Sequence, residues 1–184
     1  MKFRNIGAGI IFSVLFIALC SVNSEAQNNN QIRLSPKAWL GQTVGFTDIN
    51  IVYSRPGVKG RKIWDGLVPY GKVWRAGANE ATKITFSTDV VIEGKKLVKG
   101  SYGFFTLPND KEWVVIFNKV ADQWGAFEYN EAEDALRIKV KPQSNNMQEW
   151  LAYTIEKTGD TTANVSLEWE KLKVSFKIEG TAKP

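Results

Sequence analysis

The chain has 184 residues, a formal net charge of +5, one cysteine and no histidine. The lack of histidine excludes Ser-His-Asp catalysis, histidine-ligated haem and the usual Cys/His zinc sites. Proton transfer is left to Asp, Glu, Lys and Tyr, and a metal would need an oxygen-ligand site of the calcium type. We expect no cofactor and no metal. The positive excess is small for a nucleic-acid-binding protein, so we expect no nucleic-acid partner.

Residues 1–26 are typical of a secretory signal peptide, with a basic start, an apolar run at residues 6–19 and a small-x-small cleavage site at residues 24–26. The apolar run is shorter than the ~20 residues that a spanning helix needs, so we expect no membrane anchor after cleavage. Cys20 leaves open a lipoprotein, which ranks second because the bulky Leu19 precedes it. The predicted location is secreted or periplasmic, and the mature chain would contain no cysteine.

The remaining chain has the size of one domain, which can bury roughly two-thirds of the surface of its unfolded form. Residues 27–34 begin with a polar run and predict a flexible tether. Residues 35–180 are predicted to form a single all-β domain, and residues 181–184 a C-terminal tail.

Apolar residues recur with a period of two along most of this domain, which is typical of half-buried strands. Ile49, Ile51 and Tyr53 share one face of the first clear strand, and a corner is expected at Thr47-Asp48. Glu93-Gly94-Lys95 predicts a tight hairpin between two β-rich runs.

The run from Trp113 to Phe117 is apolar at every position, which predicts a central strand covered on both faces. Asn130 is a candidate cap for a single helical turn. Near the C-terminus the alternation slips by one residue at Glu170-Lys171, which predicts either one long bent strand or a very tight hairpin. Some eight to ten strands without an amphipathic helix indicate an antiparallel β-sandwich or a jelly-roll-like barrel.

Residues 54–80 follow neither a helix nor a strand pattern. They contain many glycines, prolines and cations, yet they also contain large aromatic residues that argue against disorder. A loop of this length in a compact domain is usually functional, so we predict that it forms the working surface. The candidate ligand-binding residues are Arg55, Lys59, Arg61, Trp64, Tyr70, Trp74, Arg75, Asn79 and Glu80, together with Trp124 from a second aromatic loop at residues 122–127.

Several motifs resemble the secreted bacterial family known as domain of unknown function 2911. They include the run from Tyr53 to Arg61, the run from Leu67 to Arg75, residues 77–81, and the later segments around Trp113 and Trp124. The resemblance covers nearly the whole predicted domain. It implies a secreted or cell-envelope protein of one domain, and it supplies no catalytic residue.

Three functions fit the candidate residues. The leading one is a non-catalytic binding module for a polar or anionic ligand such as a glycan, with aromatic rings as platforms and cations meeting carboxylate or sulfate. The second is a carboxylate-dependent glycoside hydrolase that uses Asp65 with Glu80, helped by Asp122 or Glu128. The third is a module that binds an envelope protein through the same Trp, Tyr and Arg side chains.

Overall fold

The computed structural model describes residues 32–183, so the predicted signal peptide, Cys20 and most of the predicted tether lie outside the described residues. Within that range no helix has the length and apolar character needed to cross a membrane. The described elements are β1 (Lys37–Val44), β2 (Thr47–Ser54), β3 (Thr82–Phe86), β4 (Val90–Ile92), β5 (Lys95–Leu97), β6 (Gly100–Leu107), β7 (Trp113–Asn118), a 3-10 helix (Glu131–Glu133), β8 (Asp134–Val140), β9 (Gln143–Lys157) and β10 (Thr162–Glu179).

The strands form two antiparallel sheets. The larger has the order β1-β2-β3-β6-β7-β8 and the smaller the order β5-β4-β10-β9. The apolar faces of the two sheets enclose the main core. The prediction of an antiparallel β-sandwich is therefore confirmed, and the sheets do not close into a barrel. We call the face of the larger sheet that points away from the smaller one the outer face.

The period-two alternation predicted the first hairpin well. Ile49, Ile51 and Tyr53 of β2 are all buried, as expected. The corner lies at Gly45-Phe46, two residues earlier than predicted, because Gly45 adopts a positive φ of 62° and Thr47 already pairs with Val44. A backbone in this region suits glycine better than the Thr-Asp pair that the sequence suggested.

β7 is covered on both faces, as its continuous apolar sequence predicted. Trp113, Val115 and Phe117 face the main core between the sheets. Ile116 faces the other way and packs with Phe105 in a small cluster on the outer face. The 3-10 helix and the loop before it cover this side of the sheet, and the Asn130 side chain caps the helix by accepting from the N–H of Ala132.

β10 folds back where the alternation slips. Glu170 has a φ of 55°. The Oγ atoms of Ser166 and Ser175 lie 2.8 Å apart, and the N–H of Gly180 donates to the carbonyl of Thr161 at 2.8 Å. These contacts place the two arms of β10 side by side, which is the tight-hairpin form of the prediction. Both arms thereby keep their apolar side chains toward the core.

Candidate functional site

The indoles of Trp64 and Trp74 lie in the core. They pack with Trp113 and Trp169, at ring-centroid distances from 4.9 Å for Trp64 and Trp113 to 6.5 Å for Trp74 and Trp113. The Nε1 of Trp74 donates to the carbonyl of Gly77 at 3.1 Å. The expectation that these two rings form surface platforms is therefore wrong. The loop bends inward at both positions, and burial of large apolar rings between the sheets outweighs exposure.

Three predicted cations lie beside β9, away from the other candidates. Arg55 donates from Nε to the carbonyl of Leu151 at 2.8 Å, and Arg61 donates to the carbonyls of Val58 and Gly57 within its own loop. The Lys59 ammonium lies 5.6 Å from the ring centroid of Trp150. Arg61 thus satisfies carbonyls that its irregular loop leaves unpaired, and Arg55 ties the start of the loop to β9.

Tyr70 and Arg75 are half-buried. Burial raises the pKa of Tyr70, and the charges of Asp110 and Asp65 add to this effect. Burial lowers the pKa of Arg75, whose Nε is buried and makes no hydrogen bond within residues 32–183. Trp74 faces the core in an extended segment, so Arg75 as the next residue faces the outer side.

The structure brings together Glu80 and Trp124, which are candidates from two different loops. They are partners in an antiparallel bridge, and the N–H of Ala81 donates to the carbonyl of Gln123 at 3.0 Å. The N–H of Gly125 donates to the carbonyl of Asn79 at the same distance. Directly opposed residues of a bridge project to the same face, so Glu80 and Trp124 stand side by side.

A buried amide holds the second loop in this position. Asn118, at the end of β7, is fully buried and donates from Nδ2 to the carbonyl of Asn130 at 2.9 Å and to Asp134 at 2.8 Å. Its Oδ1 accepts from the N–H of Val120 at 3.0 Å. The amide therefore joins the two ends of segment 119–130, which contains the second aromatic loop (residues 122–127).

Glu80 is held as a carboxylate. Both of its oxygens accept from Arg33 at 2.9 Å, and Ser54 approaches one of them at 3.4 Å. The hydrogen bonds from Arg33 lower the pKa of Glu80, and the charges of Arg33 and Lys37 act in the same direction. A carboxyl with a lowered pKa accepts hydrogen bonds at neutral pH but is a poor proton donor.

A cleft of about 340 Å³ on the outer face is lined by Glu80 and Trp124 together with Ser54 and Lys37. This is within the usual range of small-molecule sites. Trp124 at its rim keeps 60% of its surface exposed. Lys83 pairs with Asp122 at 2.8 Å across the floor. The lining consists of Lys37, Val52, Tyr53, Ser54, Glu80, Ala81, Lys83, Ala121, Asp122, Gln123 and Trp124.

The sequence analysis missed Lys37, Val52 and Lys83 as site residues. They belong to three different strands, and the register places Lys37 opposite Ser54 and Val52 opposite Lys83 on the outer face. Period-two alternation indicated that Val52 and Lys83 lie away from the core, but no pattern was assigned to Lys37. It gave no indication of which strands would be neighbours.

A family model described as "Protein of unknown function (DUF2911)" matches residues 35–178, which is most of the chain. The chain belongs to this family. The resemblance inferred from the sequence motifs is thus confirmed, and the matched residues of this DUF2911 chain include β1 to β9 and all of β10 except its last residue, Glu179. The chain matches no curated protein and no solved structure.

Proposed function

We propose that this DUF2911 domain is a binding module whose cleft holds a glycan or a similar hydroxyl-rich, anionic ligand. The observation that carries the proposal is the exposed indole of Trp124 beside the ionised Glu80 at the rim of the cleft. An indole offers a flat apolar surface for the ring of a sugar. The carboxylates and Ser54 offer partners for hydroxyl groups, which a purely apolar pocket lacks.

The charges support an anionic ligand over a neutral one. Arg33 and Lys83 each pair with a carboxylate, whereas Lys37 forms no ion pair within the described range. Lys37 lines the cleft, so a ligand carboxylate or sulfate can pair with it. Lys37 therefore takes the role that the sequence analysis gave to Arg55, Lys59 and Arg61. The side chains of those three residues contact the β9 side of the domain instead.

The geometry gives less support to the hydrolase hypothesis. Glu80 and Asp122 share the cleft, but Asp65 does not line it. A glycosidase needs one carboxyl group with a raised pKa to protonate the leaving oxygen. Arg33 lowers the pKa of Glu80, and Lys83 forms an ion pair with Asp122. Two carboxylates held by cations suit hydrogen-bond acceptance better than acid catalysis.

The proposal includes export through residues 1–26 to the periplasm or the outside of the cell, where glycans are accessible. Intact mass of the exported protein would test this step. A chain beginning near Gln27 supports signal-peptide cleavage, and a lipid mass on Cys20 would replace it with the lipoprotein alternative.

The binding test uses the domain from Ser35 onward together with residues 27–34, so that Arg33 is present. Thermal shift and titration calorimetry would compare oligogalacturonate, chondroitin sulfate and cello-oligosaccharide fragments. We expect the anionic fragments to bind more tightly, with an affinity that falls as salt is added. Trp124→Ala should weaken binding about two- to tenfold, the effect of losing one stacked ring.

Phe127→Ala is the matched control, because Phe127 is an exposed aromatic residue of the same loop that does not line the cleft. Equal losses in Trp124→Ala and Phe127→Ala would contradict the assignment of the cleft. Capture of an envelope protein that competes for the same cleft, with no glycan binding, would favour the protein-interaction alternative.

A further inference from the structure

A second exposed tryptophan lies on the outer face beside the cleft. Trp39 of β1 keeps 79% of its surface exposed, and its pairing partner in β2 is Val52, a lining residue of the cleft. Lys37, two residues earlier, lies on the same face and also lines the cleft. The wall that β1 contributes to the cleft therefore continues directly to Trp39.

The outer face near Trp39 carries polar side chains on neighbouring strands. Asn50 of β2 lies diagonally opposite, and its Oδ1 occupies the space where a Cβ on Gly41 would sit, at 2.7 Å. Farther across, the hydroxyls of Thr85 and Ser101 lie 2.8 Å apart. The outer face near Trp39 thus combines an exposed indole with an amide on the neighbouring strand, as the cleft combines Trp124 with Gln123.

The two indoles are well separated: Trp124 lines the cleft, and Trp39 lies beyond the wall formed by Lys37 and Val52. In the strand register Trp39 pairs with Val52, which in turn pairs with Lys83. Trp124 pairs with Glu80, which precedes Lys83 by three residues along the chain. Three extended residues span about 10 Å, and neighbouring strands lie about 5 Å apart. Trp39 on β1 is two strands away from the β3 side, where Trp124 lies beside Glu80. The backbones of the two tryptophans are therefore on the order of 14 to 18 Å apart, too far for one monosaccharide to contact both.

We propose that the ligand is a linear oligosaccharide that runs diagonally across the outer face, from Trp124 over Lys37 and Lys83 to Trp39. This inference rests on the proposed function, because it extends the ligand of the same cleft. Trp124 and Glu80 hold one end, Lys37 meets an acidic group in the middle, and Trp39 stacks on a sugar toward the other end. Affinity then depends on the length of the chain.

The test is titration calorimetry with oligogalacturonates, chondroitin sulfate fragments and cello-oligosaccharides, each as a disaccharide and as a hexasaccharide. In the series that binds, Trp39→Ala should weaken the hexasaccharide about two- to tenfold and leave the disaccharide unchanged. Trp124→Ala should weaken both lengths. Trp150→Ala is the matched control, since Trp150 is a partly exposed indole on β9 that lies outside the cleft.

Different outcomes separate the two proposals. If Trp39→Ala leaves the hexasaccharide affinity unchanged while Trp124→Ala still weakens it, the extended path is wrong and the cleft stands. If no fragment binds the unaltered domain, both proposals fall. Equal losses in Trp39→Ala and Trp150→Ala also overturn the path. A concentration-dependent dimer that only Trp39→Ala dissociates would assign Trp39 to contact between copies instead.

Discussion

Truncation of Trp74 to alanine separates a core residue from a site residue most directly. Trp74 keeps only 8% of its surface exposed and stacks on Trp169 at a centroid distance of 5.8 Å with an angle of 19°. Its Nε1 also satisfies the carbonyl of Gly77. The substitution therefore removes a buried ring, leaves a cavity between the sheets and frees a buried carbonyl.

The expected loss of stability is large. Truncation of a buried tryptophan to alanine costs about 3 to 5 kcal/mol, mostly from lost burial and the remaining cavity. For a domain of this size each kcal/mol lowers Tm by roughly 2 to 4 °C, so Trp74→Ala should lower Tm by about 6 to 20 °C. Trp124→Ala should change the free energy of unfolding by no more than about 0.5 kcal/mol, because that indole is exposed.

Urea unfolding monitored by far-ultraviolet circular dichroism gives the free energy of unfolding of both variants. An unchanged m-value would show that a shift in the unfolding midpoint reports a change in stability. Trp74→Phe keeps part of the packing and provides a folded variant if Trp74→Ala does not fold. If Trp74→Ala unfolds at the same urea concentration as Trp124→Ala, the assignment of Trp74 to the core is refuted.

Two further predictions concern the residues that shape the cleft. Asn118→Ala should destabilise the domain by about 3 kcal/mol or more, because it leaves several buried partners without hydrogen bonds. Hydrogen exchange should rise first in residues 119–130. Unchanged exchange in this segment would contradict the role of Asn118 in holding the loop. The folded-state pKa of Glu80 lies below its usual value of 4.5, so its stabilisation is present above that value and is lost as the pH falls through the lower folded pKa. The Tm difference between the unaltered domain and Glu80→Gln should therefore shrink on acidification, and a difference that grows would reverse the assigned direction.

Much of the fold could be predicted because exposure alternates along individual strands. Ile49 and Ile51 on β2, the apolar run of β7 and the slip at Glu170 each indicate a local property of the backbone. Burial on one face fixes the phase of a strand, and a change of phase requires a turn or bulge. The corner at Gly45 was missed because Thr-Asp and Gly-Phe both suit turns, and only the pairing of β1 with β2 distinguishes them.

The site was harder to predict, because it depends on which strands and loops become neighbours. Trp64, Trp74 and Trp124 have similar sequence surroundings, with glycines nearby and no periodic pattern. Two of them are buried and one is exposed. Sequence composition indicated correctly that residues 54–80 are ordered, but the direction in which each ring points is decided by long-range contacts with β6, β9 and β10.

The long loop has mainly a structural role, and this explains where the cleft lies. A segment without strands or helices must still satisfy its buried carbonyls, and arginine has five donors for this purpose. Arg55 and Arg61 donate to backbone oxygens, and Trp64 and Trp74 fill the core. The loop reaches the cleft at its two ends, Ser54 and Glu80, where it adjoins β2 and β3. Substitutions at exposed positions of β1 and of the second loop can then alter the cleft without loosening the core, whereas substitutions in the middle of residues 54–80 must first be tolerated by the fold.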